Sequence, residues 1–464
     1  MNVVSDMPAA FGRRSAFQSS PSPAPAPSPA AFAAPERKAA ASPPPTGAAE
    51  LRAACLARID PSALANATPD QLYGDIERLI AEIADEQRIQ INGREQRQLA
   101  NELVHDMVGL GPLEPLLEDD SITDIMVNGP DKIFAERHGK LVLTSARFRD
   151  FGHVANVAQR IAAAVGRRVD ESSPMVDARL ADGSRVNIIF PPLALNGACI
   201  SIRKFARRRI NFDTIVANGS ATAQMAKILR LASAARLNII ISGGTGAGKT
   251  TLMNALSQTI DPGERIITVE DAAELQLQQP HVVRLETRPP NLEGSGEVTQ
   301  RDLVRNALRM RPDRLIVGEV RGAEAFDMLQ AMNTGHDGSM STIHANTTRD
   351  AVTRIENMVQ MGQPNLPLRA IRTQIVSAVD LIIQLERMRD GVRRISQVTE
   401  VIGLEGDVVT MNDIFQFEYE GENPDGTLRG RFKVSHIRPS FWSRLQYFNL
   451  DSAWAAAMEE RPAP

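Results

Sequence analysis

One short segment of this sequence combines glycine, lysine and threonine at a spacing suited to binding phosphate groups. GGTGAGKT, residues 243–250, matches the pattern G-x-x-x-x-G-K-[ST] throughout, with a strand-like run, LNIII, before it and a helical run after it. The glycines let successive backbone N–H groups converge on phosphate oxygens, and the start of the helix adds partial positive charge. Lys249 is expected to reach the β- and γ-phosphates, and the Thr250 hydroxyl to coordinate Mg²⁺. The predicted phosphate-binding residues are Gly243, Gly244, Thr245, Gly246, Ala247, Gly248, Lys249, Thr250 and Thr251.

Carboxylates at two strand ends are placed to act on a bound phosphate. RIITVEDAAEL carries Glu270 after an apolar strand, and RLIVGEVRG carries Glu319 at the end of another. Because the C-terminal ends of parallel strands meet at the nucleotide edge of such a sheet, either carboxylate could orient an attacking water or hold the water shell of the metal. Gly318 stands where a P-loop protein commonly has an aspartate. The general base stays open between Glu270 and Glu319.

Two of the seven histidines, His336 and His344, lie eight residues apart in GHDGSMSTIHANT. A zinc pair on one helix would be spaced H-x-x-x-H and would need a third ligand, whereas the strand-like segment SMSTI separates these two. This spacing disfavours metal ligation. Two interpretations remain: both histidines are structural, or His344 ends a strand that faces the nucleotide.

Composition narrows the class of protein. The chain has 464 residues, 43% of them hydrophobic, 4% aromatic, and a net charge of −4 with a pI near 6.1, so neither charge nor stacking residues favour a nucleic-acid binder. The two cysteines are far apart, which suits a reducing cytoplasm. Neither a signal peptide nor a run of about 18 apolar residues is visible, so we expect a soluble chain without an integral membrane segment. The guanine-specifying N-K-x-D and an LSGGQ-like segment are absent from the sequence, which disfavours a GTPase switch and an ABC-type ATPase.

The sequence pattern changes several times along the chain. Ten of the 29 prolines lie in the first 47 residues, which predicts a disordered tail there. From residue 222 onward strands alternate with helices, which predicts βαβ units and a parallel sheet with helices on both faces. The predicted segments are a tail (1–47), a short helical bundle (48–108), an α/β domain with an antiparallel sheet (109–206), a linker (207–221), an ATPase domain (222–400) and a C-terminal segment (401–464).

Four motifs in order resemble one known family. GGTGAGKTTL, ITVEDAAEL, RNALRMRPDRLIVGEVRG and TGHDGSMSTIHANT resemble the Walker A, Asp box, Walker B and His box of the type II/type IV secretion ATPases. GLGPLEPLLEDDSITDIMVNGP, upstream of these, is similar to the CpaF branch, the motor of Flp-type (tight-adherence) pili. The resemblance covers roughly residues 100–400. It implies an α/β fold with a RecA-like P-loop NTPase domain, preceded by a smaller α/β (PAS-like) domain and a helical bundle.

The resemblance also implies roles for the polar residues. Lys249 and Thr250 would bind ATP and Mg²⁺, Glu270 matches the Asp-box carboxylate, and Glu319 matches the Walker B glutamate near the metal. The family's Gly-Glu makes Gly318 expected rather than a defect. His344 would report phosphate occupancy, with His336 helping to place its loop.

Two groups of arginines are candidates for contacts with the triphosphate. Arg301, Arg305 and Arg309 recur every four residues on a predicted helix; Arg301 suits a solvated face, whereas Arg305 and Arg309 match family positions near the nucleotide and a neighbouring subunit. In similar ATPases, arginines of the preceding domain close over the γ-phosphate. The candidates here are Arg179, Arg185 and Arg203. The run at 207–209 suits a solvated linker.

The function expected from the resemblance is ATP hydrolysis by a homohexamer that drives assembly, and in some systems retraction, of a Flp-type pilus or a related secretion machine. Such a motor would be cytoplasmic, peripheral at the bacterial inner membrane, and would work with inner-membrane pilus platform proteins. The alternatives are a RecA-like nucleic-acid translocase, which acidic pI and scarce aromatics disfavour, and a nucleotide-binding assembly scaffold.

Overall fold

The computed structural model describes residues 46–58, 69–137, 139–205, 210–290 and 294–460. The tail predicted over residues 1–47 lies almost wholly outside the described residues, as does the arginine run at 207–209. Contacts divide the chain into a unit of residues 1–104 and a unit of residues 105–464, and each is described by itself.

The first unit contains α1 (Thr46–Arg58), α2 (Pro69–Glu86) and most of α3 (Gly93–Val108). Apolar side chains recur at helical spacing along α2, so that Leu72, Ile76, Ile80 and Ile83 form one buried stripe. Burial of that stripe against the other helices is what holds short helices of this kind together, because isolated helices of this length are marginal in water.

The second unit begins with a six-stranded sheet, all of whose pairings are antiparallel. The antiparallel sheet expected from the sequence is therefore present, and α5 covers its apolar face through side chains such as Val154, Val157 and Ile161. Its elements are α4 (Glu114–Glu118), β1 (Ile122–Val127), β2 (Ile133–Arg137), β3 (Lys140–Leu143), α5 (Phe151–Ala164), β4 (Met175–Arg179), β5 (Arg185–Ile189) and β6 (Cys199–Arg203), in the strand order β3-β2-β1-β6-β5-β4.

The remainder of this unit is built on a nine-stranded sheet in the order β15-β14-β13-β12-β7-β11-β10-β8-β9. Its strands are β7 (Ile239–Gly243), β8 (Ile266–Glu270), β9 (Val282–Glu286), β10 (Arg314–Val317), β11 (Met340–Ile343), β12 (Leu381–Arg387), β13 (Arg393–Glu405), β14 (Val408–Glu422) and β15 (Leu428–Val434). Its helices are α6 (Phe212–Ala217), α7 (Ala223–Ala234), α8 (Lys249–Ser257), α9 (Gln300–Ala307), α10 (Glu324–Asn333), α11 (Thr348–Gly362), α12 (Leu368–Ala378), α13 (Trp442–Tyr447) and α14 (Asp451–Glu459). Two apolar cores, one on each face, pack the helices onto the sheet. The α/β fold with a parallel central sheet and helices on both faces is confirmed.

The sheet is mixed rather than wholly parallel, which differs from the prediction. β12 is the last parallel strand, and the chain then turns back so that β13, β14 and β15 add an antiparallel extension. The boundary predicted at residue 400 consequently falls inside β13. The C-terminal residues also complete a core, because Trp454 is buried and Gln224 of α7 donates to the carbonyls of Ala457 and Met458. Across the part of the chain that the structure describes, no helix combines the length and the apolar character needed to cross a bilayer.

Candidate nucleotide-binding site

The loop after β7 has the geometry that the glycine motif predicts. Gly248 has φ +100°, a left-handed conformation that glycine adopts without strain, and it forms the N-cap of α8. At Gly243 a Cβ would lie 2.5 Å from the backbone oxygen of Leu385 on the neighbouring β12, so only glycine fits there. These two positions fix a tight turn whose N–H groups and helix end can bind an anion.

Lys249 is held inside this turn. It is 8% exposed, and its ammonium group donates to the carbonyl oxygens of Gly243 at 2.9 Å and Gly244 at 3.1 Å. Burial lowers the pKa of Lys249, and the positive charges of Arg321 and Arg203 lower it further, whereas the Glu319 carboxylate raises it. The ammonium is therefore placed at the mouth of the turn, where phosphate oxygens would replace or join its carbonyl partners.

His344 lies between the Lys249 ammonium and the Glu319 carboxylate. It follows β11, which lies between β7 and β10, and its Nε2 is 3.2 Å from the Lys249 Nζ and 3.1 Å from the Glu319 Oε1. An ammonium can only donate and a carboxylate can only accept, so Nε2 can satisfy just one of them at a time. Burial and the nearby ammonium lower the pKa of His344, which favours the neutral ring. The tautomer of that ring then sets whether Nε2 accepts from Lys249 or donates to Glu319. A change in either partner would therefore shift the histidine toward the other.

Glu319 has a further partner that the sequence motifs do not indicate. Arg321 donates from Nη2 to the Glu319 Oε2 at 2.9 Å, and its Nη1 is 3.6 Å from the Asp271 Oδ2. Burial raises the pKa of Glu319, but the hydrogen bond and positive charge of Arg321, with His344 and Lys249, outweigh it and leave the pKa below the ordinary value. The carboxylate is thus kept ionised. The alternation of side chains in extended backbone, which turns residues i and i+2 the same way, is the signal that could have found Arg321.

Glu270 is in a contrasting environment. It is 3% exposed, its Oε2 accepts from the backbone N–H groups of Glu274 at 2.7 Å and Leu275 at 2.9 Å, and its buried Oε1 has no hydrogen-bond partner among the described residues. Burial raises the pKa of this carboxylate above its usual value. One oxygen is therefore fixed in place, while the other can take a proton or a water.

The glycine that replaces the usual aspartate has a steric reason. Gly318 continues β10 next to the end of β8, and a Cβ there would lie 2.8 Å from the Glu270 Cγ. Real Cβ atoms essentially never come that close to a neighbour. Gly318 thus makes room for the Glu270 side chain, and the departure from the common motif belongs to the placement of that carboxylate.

Three arginines of the six-stranded sheet were candidates for contacts with the triphosphate, and two of them contact the loop after β8. Arg179 donates from Nη2 to the Ala273 oxygen at 3.1 Å, with Nη1 2.9 Å from the Glu286 carboxylate. Arg185 donates to the Glu274 Oε1 at 2.8 Å. They thus hold the backbone segment whose N–H groups fix Glu270. Arg203 pairs with Asp124 at 3.3 Å, and its charge acts on Lys249.

The three arginines predicted on one helix differ from one another: Arg301 and Arg305 lie on α9, which ends at Ala307, and Arg309 lies beyond its end. Arg301 and Arg305 share Asp327 of α10, at 2.7 and 2.9 Å. Arg301, expected on a solvated face, is therefore ion-paired and about three-quarters buried. Among the described residues, no side chain pairs with the exposed guanidinium of Arg309.

The first histidine of the pair has a structural position. The Nδ1 of His336 lies 3.2 Å from the Ala331 oxygen near the end of α10, and Ser339 donates to the His336 oxygen at 2.6 Å. His336 therefore holds the turn that leads into β11, at the opposite end of that strand from His344. Nowhere in the described ranges do three or more His, Cys, Asp or Glu residues form a metal-binding group.

The residues present fit a magnesium ion that arrives with a nucleotide. The Thr250 hydroxyl stands at the start of α8 and makes no hydrogen bond to another described residue. Glu319 is ionised nearby, 3.1 Å from His344. Oxygen donors of this kind, few in number and completed by phosphate and water, are what Mg²⁺ prefers.

Comparison with known proteins identifies the family of this chain. The type II/IV secretion system protein family matches residues 106–414. The chain belongs to that family. Conjugal transfer protein TrbB of Rhizobium radiobacter is 36% identical to it over 294 residues, 62% of this chain and 86% of TrbB. Type IV secretion system protein PtlH of Bordetella pertussis is 35% identical over 311 residues, 61% of this chain and 91% of PtlH.

A Mycobacterium tuberculosis protein whose name assigns it provisionally to conjugal transfer is 41% identical over 309 residues, 65% of this chain and 87% of its own length. Among solved structures, the VirB11 ATPase of the Brucella suis type IV secretion system is 30% identical, with 62% of this chain and 94% of that one covered and a TM-score of 0.34. Membership of the secretion family rests on the match over residues 106–414, and the CpaF branch within it remains a prediction.

Proposed function

We propose that this chain is an ATPase that hydrolyses MgATP to ADP and phosphate. The observation that carries the proposal is the cluster at the nucleotide edge: the His344 Nε2 lies within 3.2 Å of both the Lys249 ammonium and the Glu319 carboxylate. Three separate motifs supply these residues, and three adjacent strands, β7, β11 and β10, bring them together. A packing role alone would not require an ammonium, an imidazole and a carboxylate at one point.

The residues divide the work as follows. The loop N–H groups and Lys249 would bind the phosphates, and Thr250 and Glu319 would hold the magnesium ion that accompanies them. Glu270 is the general base: the water oxygen forms a bond to the γ-phosphorus, its proton passes to the Glu270 Oε1, and the bond to the β-phosphate oxygen breaks, leaving its electron pair on ADP. The raised pKa of Glu270 supports this choice over Glu319, whose lowered pKa keeps it ionised and a weaker base.

His344 reports the state of the phosphates. While Lys249 points at its own loop carbonyls, it also lies within hydrogen-bond distance of the His344 ring. A phosphate that draws the ammonium away from Nε2 leaves that nitrogen free to form a hydrogen bond with the Glu319 carboxylate instead. Turnover should then depend on His344 more than binding does.

The assay is release of inorganic phosphate from MgATP, with nucleotide affinity measured in parallel. Lys249→Ala should lower both, whereas Glu270→Gln should lower kcat by about 10²–10⁴-fold at nearly unchanged affinity, the range for loss of a general base. Glu319→Gln should lower kcat and raise the Mg²⁺ requirement. Full activity in Glu270→Gln would remove it as the base, and absence of both binding and turnover in the wild type would end the ATPase proposal.

We propose further that the active form is a homohexamer in which Arg309 serves the site of a neighbouring subunit. Arg305 is paired with Asp327 within its own chain, whereas Arg309, two residues beyond the end of α9, is exposed. Arginines supplied in trans can stabilise the charge of a phosphoryl transition state. Arg203 lies on β6 of the six-stranded sheet in the same unit. Its positive charge acts on Lys249 and would add to the positive charge around the phosphates.

The machine proposed for this motor is a Flp-type pilus, driven from the cytoplasmic face of the bacterial inner membrane through platform proteins. The CpaF-like segments near residues 109–130 support it. A second candidate is a conjugative type IV secretion machine, favoured by the names of the relatives TrbB and PtlH. Deleting the gene distinguishes them: loss of surface pili supports the first, and loss of conjugative transfer with pili of the Flp type intact supports the second.

A further inference from the structure

The turn that joins β12 to β13, residues 388–392, is held in place by several hydrogen bonds to one carboxylate. Asp390 accepts two hydrogen bonds from Arg394, at 2.9 and 2.7 Å, and one from the backbone N–H of Leu428 on β15, at 3.1 Å. These partners lower the pKa of Asp390 to about 2, with the Arg394 hydrogen bonds first among the causes. The turn is thus tied to the edge of the sheet and can act as a rigid element.

One arginine beside this turn contacts the phosphate-binding loop. The Nε of Arg393 donates to the Gly246 oxygen at 2.8 Å, and the Arg393 Cδ is 3.6 Å from the position of a Cβ on Gly248. The strand on the other side of the turn also touches that loop, because Leu385 pairs with Gly243 in the parallel ladder. Both strands of the β12–β13 hairpin therefore contact the phosphate-binding loop.

The contact with Gly246 bears on phosphate binding through peptide geometry. In a planar trans peptide the C=O and the following N–H point in opposite directions. Holding the Gly246 oxygen outward on Arg393 turns the Ala247 N–H into the loop, where it lies 3.3 Å from the Gly244 oxygen. A positive charge on the carbonyl oxygen also strengthens the N–H at the other end as a donor. Arg393 thus orients and polarises a peptide of the phosphate cradle without contacting the phosphate.

A second arginine, on the other side of the turn, contacts the first sheet of the unit. Arg387 ends β12 and donates to the oxygen of Gly139, in the turn between β2 and β3. Its Nη1 is also 3.8 Å from the carboxylate of Glu136 on β2. Within this unit the hairpin therefore has one arginine on the phosphate-binding loop and another on the domain built around the six-stranded sheet of β1 to β6, called the antiparallel domain below.

We propose that the β12–β13 hairpin is a strut through which the antiparallel domain sets the shape of the phosphate-binding loop, with Arg393 as a positioning residue for bound ATP and Arg387 as its link to that domain. The proposal rests on the ATPase function proposed above. It predicts that nucleotide affinity depends on two side chains that need not touch the nucleotide, and that their effects are coupled.

The test is a double-mutant cycle on the full-length protein, with affinity for a fluorescent, non-hydrolysable ATP analogue in the presence of Mg²⁺ as the first readout. Arg393→Ala should weaken affinity by about threefold to tenfold, as expected for one charge-assisted hydrogen bond near the surface. Arg393→Lys should restore part of the loss, since it keeps the charge but not the geometry of the guanidinium. Arg387→Ala should weaken affinity by a smaller factor, and should add almost nothing when Arg393 is already alanine.

Arg389→Ala is the matched control, because Arg389 lies in the same turn but contacts Tyr419 and Glu422 of β14 instead. It should leave affinity and kcat unchanged. The KM for ATP should rise in Arg393→Ala while kcat changes by less than about twofold, the pattern of lost uniform binding. Thermal midpoints of all variants would show whether each one is folded.

A folded Arg393→Ala protein could bind the analogue as tightly as the wild type does. That result would overturn the role proposed for the β12–β13 hairpin and leave the ATPase proposal standing. Independent, multiplicative effects of Arg387→Ala and Arg393→Ala would overturn the link to the antiparallel domain. A folded wild type that binds no nucleotide would overturn both proposals at once.

Discussion

Replacing Gly318 with alanine should separate catalysis from binding. The new Cβ would lie 2.8 Å from the Glu270 Cγ, whereas carbon atoms in contact are ordinarily about 3.5–4.0 Å apart. Glu270 must therefore move by about 1 Å, yet it is 3% exposed and its Oε2 is held by two backbone N–H groups. A displacement of that size at a reacting group can lower a rate by about 10²-fold, and overpacking costs about 1–3 kcal/mol of unfolding free energy.

The expected result for Gly318→Ala is a kcat lower by about 10- to 100-fold, with nucleotide affinity within about twofold of the wild type. Phosphate release from MgATP measures the first, and binding of a fluorescent analogue measures the second. Wild-type kcat in this variant would refute the argument that Gly318 exists to accommodate Glu270. An equal loss of affinity and kcat would also refute it, because the clash does not involve the phosphate-binding loop.

Two comparisons control for other effects of the substitution. Gly403→Ala places the same methyl group on β13, where nothing lies within 4 Å of the new Cβ, and should leave turnover unchanged. In a Glu270→Gln background, Gly318→Ala should lower kcat little further, since both changes act on the same carboxylate. Fully multiplicative losses would indicate that the alanine disturbs the site by another route.

Three further predictions test the rest of the site. His344→Ala should lower kcat by about tenfold or more while ATP affinity stays within about threefold, measured by phosphate release and analogue binding; equal losses would contradict the reporting role. Glu270→Gln should raise the thermal midpoint of unfolding at neutral pH. Burial raises the pKa of Glu270, so the contribution of the protonated carboxyl group to stability is fully present below the pKa of the unfolded state. That contribution is lost as the pH rises through the pKa of the folded state. The difference should shrink in scans toward about pH 4, and a midpoint unchanged at every pH would argue against the buried charge. Wild-type subunits mixed with Lys249→Ala or Arg309→Ala subunits should lose activity out of proportion to dilution, whereas loss in simple proportion would contradict sites shared between subunits.

The sequence by itself determined which residues are candidates for the site, because the main ones belong to contiguous motifs. A glycine-rich turn between a strand and a helix specifies a phosphate-binding loop almost by itself, and Gly248 and Lys249 have the predicted positions. The alternation of strands and helices likewise specified parallel strands, whose C-terminal ends must meet. From that rule alone Glu270, Glu319 and His344 could be expected at one edge, although their roles remain proposals.

The partners of the arginines could not be predicted from local sequence pattern. Arg179 and Arg185 were expected at the triphosphate from a resemblance, yet in this structure they pair with Glu286 and Glu274 around the loop that fixes Glu270. Their partners are about ninety or more residues away in sequence. Nothing in the spacing of charged residues specifies which of many carboxylates such a side chain will meet.

Only the tertiary structure decided how the edge of the sheet is finished and what supports the loop. The sequence defines residues 401–464 only as a C-terminal segment. In the structure they extend the sheet and close a core, because the turn after β12 directs the following strands onto the edge of the sheet. The steric reason for Gly318 depends on the register of β10 against β8. The contact of Arg393 with Gly246 spans 147 residues and depends on β12 lying next to β7. Strand order and register are set by packing of the whole sheet, and a sequence read one segment at a time does not contain them.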